Sequence, residues 1–334
     1  MKIITHKEID TLEWQQLTLE SPVSSFFQSK ACYDFYCTLS FLEPFLFGVE
    51  ENDKLVGLIC GYVISDGNKI KQFFSRRAIV PGGMLLSTDC SNDALKILLD
   101  ETINSLRKKA IYIEFRNYSD YSKYKLAIQK ARFNYHAHLN FHLNVSNQEH
   151  LLSKISESKV RQIKQTEKAG VIYEELNDKN DIHEFYNILL QLYKLKIRTP
   201  IFPIEFFIKI ANQDFSKFYV VKSGTKVLGG IICVFDHKKV YEWFVCGSDI
   251  YNLGSHPSVL ATWAGINFAS NNGFEVFDFM GAGKPDKEYG VRDFKAKFGG
   301  ELVEHGRFLY ICNKLLYIIG KIALKIIALK PYSK

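Results

Sequence analysis

The chain has 334 residues, of which 47% are hydrophobic and 14% aromatic, so it can form two domains that each bury a core. This composition excludes an intrinsically disordered chain. The formal net charge of +7 favours a polyanionic partner such as RNA, a phosphorylated substrate or an anionic lipid surface, although a mild basic excess also occurs in proteins that bind none of these.

Cysteine usage and the N-terminus indicate a cytoplasmic protein. The seven cysteines are scattered without C-x-x-C pairs, and several lie in apolar runs where cysteine acts as a small hydrophobic residue. The first residues, MKIITHKEIDTLEW, carry charges throughout and lack the apolar segment of a secretion signal.

The first half of the chain reads as strands followed by a helix and a further strand. Residues 46–65 predict a hairpin with a polar turn, residues 91–108 an amphipathic helix, and residues 110–115 an apolar strand. Basic residues near the Phe-Phe-Gln-Ser stretch and the Pro-Gly-Gly turn are candidates for binding an acceptor's phosphates: Lys30, Arg76 and Arg77.

Three histidines occupy one face of a predicted strand over residues 134–145: His136, His138 and His142. Side chains at alternate positions of one strand diverge too far to close a tetrahedral zinc site, and no carboxylate or cysteine accompanies them there. We therefore predict surface histidines and no metal. The join between two domains is expected at residues 144–151.

A basic stripe follows the join. Arg161, Lys164 and Lys168 recur at helical spacing, and Gly170 is a suitable helix stop. The stripe predicts either a phosphate-binding face or a solvated surface helix.

The second half repeats the order of the first. Residues 218–248 predict a hairpin and a third strand, residues 256–271 a helix, and residues 275–280 an apolar strand. We therefore predict an α/β (α+β) fold of two similar domains, residues 1–148 and 149–312, each a mixed sheet flanked by helices. A C-terminal helix over residues 313–330 is expected to complete the first domain.

Two further segments of the second half offer candidate site residues. Glu242, in the strand VYEWFV, is either a general base or a residue on the outer face of the sheet. Pro257 marks the first turn of a helix, whose free N–H groups could hold a phosphate or an oxyanion near His256 and Ser258.

The segment FDFMGAGKPDKEYGVRDFKAKFGGE brings a carboxylate, a glycine turn and lysines together. A phosphate loop is excluded, because Asp278 stands where its first glycine belongs and Pro285 follows the Gly-Lys pair. Asp278 ends a strand that enters the turn of Gly281 and Gly283, a place where α/β folds bind ligands. It either accepts a proton or anchors a substrate amine, or it caps the turn.

These motifs resemble a known family. The hairpins look like the second and third strands of GNAT-fold acyltransferases. The duplicated arrangement resembles the FemAB family of aminoacyl transferases and its GNAT-like relatives, most specifically over residues 256–300. The resemblance implies transfer of an aminoacyl group from aminoacyl-tRNA to an amine of a peptidoglycan precursor, with an active-site lysine at Lys295 or, second, at Lys297. If this segment were a strand, both lysines would share one face; the alternative is two solvated lysines.

Two departures from the family pattern matter. The turn at Asn252 lacks the glycine pattern that holds the pyrophosphate of acyl-CoA in GNAT enzymes, which lowers the expectation of that donor. Residues 181–198 leave room for only one helix, so the chain resembles a FemAB protein without the coiled-coil arm.

The alternatives are an acyl-CoA-dependent N-acyltransferase acting on a sugar or lipid, and a silent module that binds a phosphorylated ligand or RNA. No metal or redox cofactor is expected. The C-terminal helix carries Lys314, Lys321 and Lys325 on one side, so it predicts an amphipathic helix rather than a membrane span. It either lies on the inner leaflet, near a lipid-linked acceptor, or packs on the first domain.

Overall fold

The computed structural model describes residues 1–5, 8–67, 69–148, 150–197, 199–248 and 254–329. The chain forms two compact units. Met1–His138 together with Glu304–Lys334 make the first unit, and Leu139–Val303 make the second. Each unit holds one mixed sheet with helices packed on it, so the predicted fold class is confirmed.

The elements of the first unit begin at the N-terminus. Its strands before the boundary are β1 (Lys2–Thr5), β2 (Glu43–Glu51), β3 (Lys54–Ile64), β4 (Arg77–Gly82), β5 (Leu85–Leu86), β6 (Tyr112–Asn117) and β7 (Asn134–His136). Its helices there are α1 (Thr11–Glu20), α2 (Lys30–Thr38), α3 (Lys69–Ser75), α4 (Asn92–Leu106) and α5 (Lys125–Lys130).

The second unit follows, and the chain then returns to the first. The strands are β8 (Leu139–Asn144), β9 (Val171–Glu175), β10 (Ser216–Ser223), β11 (Lys226–Phe235), β12 (Lys239–Gly247), β13 (Val276–Asp278) and β14 (Glu301–Glu304). The helices are α6 (Leu151–Lys154), α7 (Glu157–Lys168), α8 (Lys179–Leu192), α9 (Ile204–Ile210), α10 (Pro257–Asn271) and α11 (Gly290–Ala296). The returning elements are β15 (Arg307–Ile311) and α12 (Lys314–Leu329).

The two sheets share one strand order. The first runs β1-β2-β3-β4-β6-β15-β7, with β5 beside β3, and the second runs β9-β10-β11-β12-β13-β8-β14. Each contains a parallel pair, β4 with β6 or β12 with β13, and the chain between the paired strands includes a long helix, α4 or α10. The predicted internal repeat is therefore confirmed as a repeat of topology.

The hairpins were predictable because local chemistry defines them. Between β2 and β3, Asn52 and Asp53 adopt positive φ values of 52° and 58°, which short polar side chains tolerate. Between β10 and β11, Gly224 takes the left-handed conformation at a φ of 58°.

The boundaries differ from those predicted. The expected single strand over residues 134–145 is broken into β7 and β8, which pair with different sheets: β7 with β15, and β8 with β13. His136 and His142 therefore belong to different units and do not share a face. Likewise, β15 inserts between β6 and β7, so residues 304–312 belong to the first unit rather than the second.

Candidate functional site

The sheet of the second unit opens where its parallel strands part. Residues 239–241 of β12 pair with residues 276–278 of β13, and the pairing then stops although β12 continues to Gly247. In the first unit the equivalent pair stays together over residues 78–82 and 113–117. Ligands of α/β sheets bind beyond the carboxyl ends of the strands, so the opening after Tyr241 and Asp278 is the candidate site.

Glu242 is the first residue of β12 beyond this pairing, and it is 3% exposed. Its carboxylate lies 3.2 Å from the Lys295 ammonium. Burial raises the pKa of Glu242, while the charge of Lys295 and the hydroxyl of Thr262 on α10 oppose the rise. A buried carboxyl with a raised pKa is suited to accept a proton near neutral pH.

The outer-face alternative for Glu242 is wrong. A register shift pairs Glu242 with Cys233 and Phe244 with Ile232, so β12 carries an extra residue between them. Such a bulge re-aims the side chains around it. Glu242 therefore lies close to Cys233, whose thiol pKa is raised first by burial and then by the Glu242 charge.

Lys295 lies on α11, which is a helix rather than a strand, so Lys295 and Lys297 do not share one face. Two residues along a helix are separated by about 200°, which buries Lys295 and exposes Lys297. The Lys295 ammonium donates to the carbonyl oxygens of Phe279 and, at 3.1 Å, Gly281. The Glu242 carboxylate is its third neighbour among the described residues, as an ion pair rather than a hydrogen bond.

A second cation of α11 holds the same turn. Arg292 donates through Nε to the carbonyl oxygen of Ala282 at 2.9 Å and through Nη2 to that of Lys284. The turn has left-handed backbone at Met280 (φ 55°), Gly281 (119°) and Gly283 (78°). The predicted glycines thus shape a strained turn whose carbonyl groups are bound by α11, and Gly283 packs closely against the Tyr289 ring.

Asp278 is fully buried and caps this turn. Its Oδ1 accepts from the backbone N–H of Met280 and from Asn140 Nδ2, each at 2.7 Å, and its Oδ2 lies 3.0 Å from His142 Nε2. Burial favours the neutral acid, but contacts with His142 and Asn140 outweigh it and lower the pKa of Asp278. The capping role is therefore present, and His142 is a partner of Asp278 rather than a surface residue.

Lys159 on α7 is a residue that the sequence did not single out. It is 5% exposed, and its ammonium lies 4.0 Å from the centre of the Phe294 ring, with no ion pair among the described residues. Burial and the nearby Lys297 lower its pKa to about 8. Burial and the Lys159 charge also lower the pKa of His256. The sequence signal for burial of Lys159 was its i, i+4 spacing from the apolar Ile163 on the same helix.

The basic stripe forms as predicted. Arg161, Lys164 and Lys168 are exposed on α7, and Gly170 ends the helix with a φ of 76°. The three cations line an open groove of about 550 Å3 whose apolar lining includes Leu152, Ile155 and Val160. None of them forms an ion pair within the described ranges. Glu242, Asp278 and Lys295 do not line this groove.

The helix start at Pro257 also forms as predicted. Ser258 lies against the end of β12, where a Cβ on Gly247 would meet the Ser258 nitrogen at 2.3 Å. His256 precedes the helix, and its backbone N–H donates to Thr166 Oγ1 of α7 at 2.8 Å. The turn at Asn252 lies outside the described residues.

The candidates of the first unit have local partners. Lys30 pairs with Asp34 at 2.5 Å, Arg77 forms two hydrogen bonds with Asp66, at 2.6 and 3.2 Å, and Arg76 lies 5.6 Å from the centre of the Phe73 ring. Phosphate binding by Arg77 would therefore compete with an existing carboxylate.

A further charged group of the first unit was missed. Glu114 of β6 pairs with Arg116 at 2.7 Å and with Arg307 of β15 at 3.1 Å. Burial would raise the pKa of Glu114, but the two guanidinium groups lower it to about 2. Glu114 and Arg307 are far apart in sequence, so no local pattern could have joined them.

Comparisons with known proteins agree with this architecture. Residues 154–295 match the family model described as Acetyltransferase (GNAT) domain. FemX is similar in structure, with 14% identity, a TM-score of 0.69 and coverage of 96% of this chain and 99% of that chain. The fold is a tandem GNAT fold. The resemblance to FemAB-like proteins is therefore confirmed at the level of the fold.

Two further solved structures share it. The C-terminal domain of a putative lysylphosphatidylglycerol synthetase from Agrobacterium fabrum has 11% identity, a TM-score of 0.60 and coverage of 94% of this chain and 96% of that one. A tandem GNAT protein from the clavulanic acid biosynthesis pathway has 7% identity, a TM-score of 0.62 and coverage of 93% and 98%. No curated protein matches the sequence.

Proposed function

We propose that this chain is an acyltransferase that moves an aminoacyl group from aminoacyl-tRNA to a primary amine of a cell-envelope precursor, such as a peptidoglycan intermediate. The observation that carries the proposal is the opening between β12 and β13, where buried Glu242 and the pinned turn after Asp278 meet. The tandem GNAT fold, shared with FemX and a lysylphosphatidylglycerol synthetase domain, supports a reaction on envelope components.

The reaction needs a base and a fixed reaction centre. The acceptor amine attacks the ester carbonyl of the donor, a C–N bond forms, and the C–O bond to the tRNA ribose breaks. Glu242 takes the proton that the amine loses, and the leaving ribose oxygen receives a proton in turn. Two N–H groups of Lys295 donate to carbonyl oxygens of the turn, and its charge lies beside the Glu242 carboxylate, so it positions the turn and neutralises Glu242.

The donor proposal rests on charge. The groove along α7 presents Arg161, Lys164 and Lys168 without ion-pair partners among the described residues. Three spaced cations suit the regularly spaced phosphates of an RNA backbone. Lys159 adds positive charge beside His256, near the start of α10. Acyl-CoA presents fewer phosphates over a shorter length, so this stripe favours charged tRNA.

The test is an assay in which purified protein receives bulk aminoacyl-tRNA or a set of acyl-CoA thioesters, with nucleotide-linked and lipid-linked precursors as acceptors. Mass spectrometry identifies the group added. We expect an aminoacyl increment on a precursor amine with tRNA only, and loss of about 100-fold or more in rate for Glu242→Gln.

The salt dependence separates the donors. An Arg161→Ala, Lys164→Ala, Lys168→Ala variant loses three phosphate contacts, so it should bind tRNA more weakly. The slope of the logarithm of its binding constant against the logarithm of the salt concentration should be smaller by about 2 to 3 units. Transfer from acyl-CoA with no affinity for tRNA would replace the donor with CoA. Binding of tRNA without transfer under every condition would support the silent module instead.

A further inference from the structure

The C-terminal helix of the first unit carries an apolar face that the unit does not bury. Over residues 314–322, whose side chains the structure describes, α12 contacts the unit through one side. Tyr317 packs edge-on against Tyr112 at 5.7 Å between ring centres, and Gly320 faces the backbone of Phe74 on α3. These two residues lie about 60° apart around the helix, so the contact is narrow.

Four aliphatic residues form a stripe on a different side of α12. They follow the spacing i, i+3, i+4, i+7 and are exposed by 68%, 54%, 40% and 52%: Leu315, Ile318, Ile319 and Ile322. We call these four side chains the α12 surface. An exposed apolar face of this extent marks an interaction site.

The charge beside the stripe is uniformly positive. Lys314 and Lys321 are seven residues apart, exposed, and adjacent to the stripe around the helix. Neither forms an ion pair among the described residues; the Lys321 ammonium lies 5.5 Å from the Tyr317 ring centre. The sequence has no Asp or Glu after Glu304, whereas it has five lysines from Lys314 onward.

We propose that the α12 surface binds an anionic lipid surface. An apolar stripe bordered by lysines is the arrangement with which an amphipathic helix lies in a lipid interface, its aliphatic side chains below the headgroups and its ammonium groups among them. A second copy of the chain would bring the same lysines together in a two-fold contact, which like charges oppose. Among the described residues no helix is long and apolar enough to cross a bilayer, so the binding would be peripheral.

The proposal is independent of the transfer reaction and is tested on the full chain with vesicles. Sedimentation compares phosphatidylcholine vesicles with vesicles containing about one third phosphatidylglycerol. We expect strong binding to the anionic vesicles and binding at least about tenfold weaker to the neutral ones. Because salt screens the charges of surface lysines, about 0.5 M salt should release the protein from the anionic vesicles.

Matched variants locate the surface. Leu315→Ser with Ile322→Ser should weaken binding about tenfold or more, and so should Lys314→Glu with Lys321→Glu. The controls are Leu126→Ser and Lys130→Glu on α5, which are exposed residues of the same unit and should bind as wild type. All substituted residues are exposed, and circular dichroism checks folding. Equal binding of every variant, or a dimer that the apolar variant disrupts without change in vesicle binding, would overturn the proposal.

Discussion

The buried ammonium of Lys295 stabilises both the turn after Asp278 and the carboxylate of Glu242. Its ammonium connects the carbonyl groups of Phe279 and Gly281 with the carboxylate of Glu242. Removing the ammonium leaves Glu242 buried without a counter-charge, and breaking a buried pair in this way costs about 3 to 5 kcal/mol. Stability and activity are therefore coupled at this residue and must be separated by design.

The first prediction separates them with three variants. Lys295→Met should lower both the melting temperature and the rate, the latter by about 100-fold or more. Lys295→Met combined with Glu242→Gln removes both charges of the pair, so it should recover most of the lost stability but none of the rate. Lys297→Met should match wild type in both, because Lys297 is exposed. A folded Lys295→Met protein with a wild-type rate would contradict the proposed role.

The second prediction concerns Lys159, whose folded pKa of about 8 lies below its ordinary value of 10.5. Between these values the unfolded chain binds more protons, so the stability of the folded state rises with pH across that window. Below pH 8 the full cost of burying an unpaired ammonium remains. Lys159→Met should therefore stabilise the protein at pH 7, since Met also packs well on the Phe294 ring, and the gain should shrink as the pH approaches 10.

Urea unfolding at pH 7 and pH 10 measures this change, with Lys164→Met, an exposed lysine of the same helix, as the control. Destabilisation by Lys159→Met at both pH values would show that the contact with the Phe294 ring outweighs the burial cost.

At the scale of elements, the sequence predicted what is local and missed what depends on distant partners. The hairpins and α7 were predictable because turn residues and a periodic basic stripe mark them. The pattern of α11 was ambiguous: FKAKF alternates as a strand does, yet Phe294 and Phe298 also have the i, i+4 spacing of a helix, and a short run does not distinguish the two. The bulge that turns Glu242 inward depends on pairing with β11, which no single-strand pattern reveals.

The third prediction tests the close approach of β12 and α10. A Cβ on Gly247 would lie 2.3 Å from the Ser258 backbone nitrogen, so Gly247→Ala must displace the start of α10. If the donor binds there, its KM should rise about tenfold or more, with a smaller change in kcat. Gly290→Ala is the control, because a Cβ there meets nothing within 4 Å and the backbone is not left-handed. An unchanged KM in Gly247→Ala would place the donor elsewhere.

At the scale of the molecule, the first unit is built from both ends of the sequence. β15 lies between β6 and β7, and its Phe308 is fully buried in the core of that unit beside Phe115 and Phe133. The repeat predicted two domains, but it did not reveal that the chain returns to the first sheet with β15, which begins at Arg307. Strand pairing across about two hundred residues leaves no local signal in one sequence.

The fourth prediction follows from this discontinuity. A chain ending at residue 303 lacks β15, which leaves β6 and β7 without the strand between them and opens the core at Phe308; the first unit should therefore unfold. The second unit is continuous over Leu139–Val303 and keeps its own core, so it should remain folded in that chain and when produced alone. A chain ending at residue 312 retains β15 and loses only α12, whose contact with the unit is narrow, so both units should stay folded.

Limited proteolysis with mass spectrometry reads each unit separately: the chain ending at 303 should be cut throughout residues 1–138 and protected over 139–303. Protection of residues 1–138 in that chain would show that the first sheet does not need its returning strand.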